Sequence, residues 1–128
     1  MYSKGSVSES AAKDRKGYFI GAFIPEGDPR HSEKVEVALM RPDSTTKGDR
    51  HFHEEMDEIV IVLKGRLWDE VDGVLLEIGP GGYLFIKAGA TTEVKGAEEG
   101  TEMIVIKAPS IPTDKHVVPH EGPTSQMS

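Results

Sequence analysis

The sequence contains no cysteine among its 128 residues. That absence excludes disulfides, iron–sulfur clusters and thiolate zinc sites, and it fits a reducing compartment. Long hydrophobic runs are missing too, since no stretch approaches the roughly 20 apolar residues that span a bilayer. The first sixteen residues are polar and mixed in charge, without the hydrophobic core of a secretory signal. There is no basic block either. Asp and Glu number 22 against 15 Lys and Arg, for a formal charge of −7. Such a surface repels phosphate backbones and anionic lipid, so no nucleic-acid partner and no membrane is expected. A cytoplasmic protein is the expectation.

Helical signals are scarce, confined to Ser8 through Lys16 with room for a turn or two. What fills the chain instead is a series of short apolar runs. They are Tyr18–Ile24, Lys34–Arg41, Glu58–Leu63, Arg66–Val71, Val74–Ile78, Tyr83–Ile86, Thr91–Lys95 and Glu102–Lys107. Val35, Val37 and Leu39 alternate with Lys34, Glu36 and Ala38, the period of a half-buried strand. Ile59 through Leu63 is β-branched almost throughout, which predicts a strand buried on both faces. Between the runs stand Pro25-Glu26-Gly27-Asp28-Pro29, Lys64-Gly65, Asp72-Gly73, Gly79-Pro80-Gly81-Gly82 and Lys95-Gly96, all turn chemistry. Short strands at regular spacing predict an all-β antiparallel sandwich or barrel. A chain this long suits one domain. We place it at residues 17–111, with weakly ordered tails at 1–16 and 112–128.

The stretch with chemical content is His51-Phe52-His53-Glu54-Glu55-Met56-Asp57-Glu58. Histidines at i and i+2 of a strand project from one face, so both imidazoles can reach one point. A straight strand would put Glu58 on the opposite face, but a turn through Glu54–Asp57 removes that objection. Two neutral imidazoles and a carboxylate form a set that suits iron, manganese, nickel or zinc. The plainer alternative is a surface His-x-His beside a solvated acidic turn.

These residues resemble the cupin superfamily, whose first motif runs His-x-His, three or four residues, Glu, six residues, Gly. His51, His53, Glu58 and Gly65 match it with gaps of four and six. Asp57 is the alternative carboxylate, at a gap of three. Gly48 falls closer to His51 than the family's earlier glycine does. The second motif has its shape in residues 81–92, but Lys87 replaces the motif's proline and Thr92 stands where the fourth ligand, a histidine, is expected. The resemblance implies a conical jelly-roll barrel with His51, His53 and Glu58 pointing inward and Thr92 at the fourth position.

It further implies a menu of metal-dependent reactions (isomerase, dioxygenase or lyase chemistry) on a small organic acid or sugar-like molecule. A metal-free module that binds or senses a small ligand is the competing reading. Met40, Trp68, Tyr83 and Lys87 are pocket candidates, while Phe52 should point away into packing. His31, His116 and His120 are read as solvated. The apolar run Tyr18–Ile24 is read as a barrel edge that pairs two copies into a homodimer.

Overall fold

Period-two alternation decides this architecture. The computed structural model describes residues 1–13 and 15–120, without the side chains of 11–13 and 15. Two five-stranded sheets face each other. In spatial order the first holds β1 (Tyr18–Ile20), β2 (Glu36–Met40), β9 (Glu102–Ala108), β4 (Asp57–Lys64) and β7 (Tyr83–Ile86). The second holds β10 (His116–Val117), β3 (His51–Phe52), β8 (Thr92–Ala97), β5 (Leu67–Val71) and β6 (Val74–Ile78). All strand pairings are antiparallel. The expected all-β antiparallel jelly-roll barrel is the fold observed. Among the described residues helix is limited to α1 (Val7–Lys13) and a single 3-10 turn at Arg15–Gly17.

Register across β2, β9 and β4 stacks the inward side chains in rows. Met40, Met103 and Val62 form one row, and Ala38, Val105 and Val60 the next. With Leu67, Ile78 and Ala97 from the other half, they make the apolar core. Each fully buried Val or Leu contributes about 1.5–3 kcal/mol. The third row is polar, namely Glu36, Lys107 and Glu58. The barrel interior is therefore apolar at one end and ionisable at the other. Gly65 turns β4 into β5 at φ 83°, where a Cβ would stand 2.5 Å from the Thr101 Cα. Glycine is required there on both counts.

Three expectations are corrected. The run Tyr18–Ile24 is strand only to Ile20; the chain then turns at Gly21, whose N–H donates to the Arg30 carbonyl, and buries Ile24. The strand at Ile59–Leu63 is not covered on both faces. Val60 and Val62 are buried, Ile59 and Ile61 half-buried, and Leu63 is 52% exposed, since no second layer covers the sheet's outer side. The segment beyond residue 111 contributes β10, paired to β3, and a buried Asp114. Residues 121–128 of the expected tail lie outside the described residues.

Candidate metal centre

β3 is two residues long, yet it lies between β8 and β10, with His51 opposite both Thr92 and Val117. Alternation sends His51 and His53 inward and Phe52 outward, where it stacks on the His116 ring at 5.0 Å between centroids. His53 is buried. The chain then turns through residues 54–56, and this turn brings Glu58 of β4 back to the inner face. One ligand atom from each of His51, His53 and Glu58 lies within 4.8 Å of the others. Asp57, the alternative acid, is exposed and accepts the Ala88 N–H at 2.9 Å.

The donor set suits a cation in its hydrogen bonding and its charge. The His51 Nδ1 donates to the Asp49 carbonyl at 2.7 Å, because a carbonyl can only accept, and this leaves Nε2 with its lone pair. The buried His53 Nε2 and Glu58 Oε1 have no hydrogen-bond partner. Burial, assisted by the nearby Lys107 charge, depresses His53 to about 4. Burial lowers His51 as well. Both imidazoles are thus neutral at pH 7, the ligating form. Burial pushes Glu58 up, against the pull of Lys107. An orphaned buried acceptor costs about 1–3 kcal/mol, a penalty that a bound cation removes.

Thr92 is buried and stands beside His51, but its hydroxyl donates to Asp69 Oδ1 at 2.5 Å. That hydroxyl is committed within the barrel wall. The pocket candidates fare differently. Tyr83 is 74% exposed and Lys87 exposed, because alternation along β7 turns Leu84 and Ile86 inward instead. Trp68 faces outward between the inward Leu67 and Asp69, and its Nε1 donates to Glu77 at 3.1 Å. Met40 lines a separate hollow of about 410 Å³ with Leu39, Val94 and Met103, to which no cluster residue contributes. The outlying histidines are engaged: His31 Nδ1 with the Ile24 carbonyl, His116 with Asp114, and His120 with Glu93.

Sequence reasoning missed several residues that shape the site. Lys107 lies between Glu36 and Glu58, with its ammonium 5.3 Å from the Tyr18 ring centroid. Continuing the alternation Met103, Val105, Lys107 would have found it, since a lysine there extends a core stripe. Glu36 is buried and accepts from the Ser110 hydroxyl at 2.7 Å. Asp114 accepts the N–H groups of Glu54, Glu55 and Met56 at 2.9–3.0 Å, clamping the turn between His53 and Glu58. Tyr18, Phe23, Glu36, His53 and Lys107 line a hollow of about 110 Å³ next to the cluster.

No protein-family model and no curated protein matches the sequence. Solved structures do resemble the fold. A KdgF protein from Halomonas sp. aligns with a TM-score of 0.59 at 21% identity, over 64% of this chain and 74% of that one. Oxalate decarboxylase from Bacillus subtilis aligns with a TM-score of 0.59 at 17% identity, over 68% of this chain. This chain spans only 24% of that longer one. A cupin protein from Bacteroides fragilis aligns with a TM-score of 0.52 at 16% identity, over 70% of this chain and 73% of that one. Likeness at such identities concerns architecture alone. The chain shares the architecture of these proteins, the double-stranded β-helix barrel seen in cupins.

Proposed function

We propose that this cupin binds one divalent transition metal (zinc, nickel, iron or manganese) through His51, His53 and Glu58. With it the protein acts on, or senses, a small organic acid or sugar-like molecule in the cytoplasm. The observation that carries this reading is the convergence of three ligand atoms within 4.8 Å, two of the residues holding buried polar atoms without a hydrogen-bond partner. A metal bound there supplies Lewis acidity, polarising a ligand oxygen or acidifying bound water. His51 and His53 present neutral nitrogens, Asp49 orients the first ring, and Asp114 holds the turn that sets Glu58.

A second reading has its own support. Thr92 spends its hydroxyl on Asp69, so the centre has three protein ligands, and Lys107 places a positive charge in the same barrel end. Both features favour a metal-free module that binds a small anion without turnover.

Elemental analysis of untagged protein, followed by competition between chelator and metal-free protein for nickel or zinc, separates the two. About one equivalent of metal is expected, with affinity lowered at least 10–100-fold in His53→Ala, a loss no smaller than that for an outer-shell partner. Undiminished binding in His53→Ala would remove the assignment and direct attention to Glu54, Asp114 and His116, which also cluster. Protein that carries no metal and takes up none, yet binds a small organic ligand, establishes the second reading.

A further inference from the structure

The one inward-facing lysine in the polar row has no role in holding a metal. Lys107 continues the stripe of Met103 and Val105 into the ionisable end of the barrel, opposite Glu36 on one side and Glu58 on the other. Its neighbours do not neutralise it in a closed pair. Lys64, Lys95 and Lys115 each reach a carboxylate at 3.3–3.6 Å. Among the described residues Lys107 has no carboxylate oxygen within 4.0 Å. Glu36 is engaged by Ser110, and the Lys107 ammonium rests against the Tyr18 ring. Beside it opens the hollow of about 110 Å³, with His53 on its wall and two further lysines, Lys16 and Lys115, on its lining.

We propose that Lys107, with Tyr18 beside it, forms an anion subsite that seats the carboxylate of a small acid beside His51, His53 and Glu58. Size and charge define the ligand class. At roughly 30 Å³ per water, the hollow holds about four waters, the bulk of an acid of two to four carbons. A point-charge ammonium donates to a carboxylate oxygen through a charge-assisted hydrogen bond. Glu36 and Glu58 outnumber that ammonium, so each further negative charge on a ligand gains more repulsion than attraction, which favours a monocarboxylate over dianionic phosphate. The inference rests on the proposed function for the ligand's reach toward the metal ligands. Anion binding itself needs no metal.

The test therefore uses metal-free full-length protein, stripped with chelator. Acetate, pyruvate, oxalate, inorganic phosphate and glycerol are titrated in turn, with NMR shift changes read at Lys107 and its neighbours. Wild type is compared with Lys107→Met, which keeps the stem, with Lys107→Arg, which keeps the charge, and with the surface control Lys64→Met. Circular dichroism verifies folding of each. The monocarboxylates acetate and pyruvate are expected to bind wild type, Lys107→Arg and Lys64→Met within a few-fold of one another, and oxalate more weakly. Binding should be roughly 10–100-fold weaker in Lys107→Met, with phosphate weaker than the monocarboxylates and glycerol silent. Equal carboxylate affinity in folded Lys107→Met, no carboxylate binding by wild type, or preference for phosphate would each overturn the subsite. Should Lys107→Met be unfolded, the outcome turns on wild type and Lys107→Arg, where absent or phosphate-selective binding overturns it. Nickel titration of the same samples reads the metal proposal separately. Metal binding without carboxylate binding sinks only the subsite, and carboxylate binding without metal sinks only the metal centre.

Discussion

At the scale of single residues, Thr92 is the most informative position. It stands directly across from His51, so a larger side chain there shares the inner face with the two imidazoles. It also supplies the hydroxyl that holds the buried Asp69, whose carboxyl is pushed up by burial and pulled down by that same hydroxyl and the Glu93 N–H. Thr92→His should therefore do two opposite things. A third imidazole, as a fourth ligand, should tighten nickel or zinc binding at least tenfold, while the lost partner of Asp69 should cost about 1–3 kcal/mol of stability. Chelator competition and urea unfolding measure the two effects on the same protein. Thr92→Val should show the stability loss without the gain in affinity. Affinity unchanged in Thr92→His would mean that its side chain does not face the cluster.

At the scale of elements, the turn between β3 and β4 converts two separated motifs into one site. Its geometry is held from outside the local sequence, by a carboxylate 58–60 residues downstream. Burial alone would raise Asp114, but the N–H groups of Glu55, Glu54 and Met56 outweigh it and hold the carboxyl at about 2, from 3.8. A depressed carboxylate stabilises the fold above its unfolded pKa and loses that contribution as pH falls through the folded value. Asp114→Asn should lower stability at pH 7 by about 1–3 kcal/mol and loosen metal binding about tenfold, because Glu58 follows the turn. Stability measured between pH 5 and about 2 should fall more steeply in wild type than in the variant. Parallel curves would show that Asp114 is not the group responsible.

The same elements explain what the sequence disclosed. Strands of four residues or more declare themselves by alternation and bounding glycines, and the runs at Val74–Ile78 and Tyr83–Ile86 match β6 and β7 to the residue. β3 and β10, at two residues each, are too short to show a period. The His51, His53 and Glu58 grouping was legible because its members are close in sequence and share a spacing. Asp114 was not, since nothing local marks a carboxylate whose partners are backbone N–H groups on another strand's turn. Trp68 and Tyr83 lie away from the cluster for a simpler reason. Aromatic character at Trp68 and Tyr83 says nothing of phase, and alternation turned both outward.

At the scale of the molecule, one face is unlike the rest of an acidic surface. On the outer side of β9, β4 and β7, register sets Ile106, Ile59 and Phe85 in one row and Ile104, Ile61 and Tyr83 in the next. Tyr83 and Phe85 are 74% and 47% exposed, while the four isoleucines are half-buried. A flat apolar face of this kind marks an interaction surface. The homodimer expected from the sequence is better served here than at Tyr18–Ile24, which turns inward after three strand residues. In a two-fold dimer a second copy would meet this face with the same face. Each copy carries a formal charge of −7, so repulsion opposes pairing and salt should weaken that repulsion. Sedimentation at concentrations of order 10 µM, a range that populates micromolar complexes, should find a dimer that tightens as salt rises. Tyr83→Lys combined with Phe85→Lys should give a monomer with an unchanged far-UV spectrum. A wild-type monomer under these conditions, or a dimer indifferent to both substitutions, would defeat this assignment of the face.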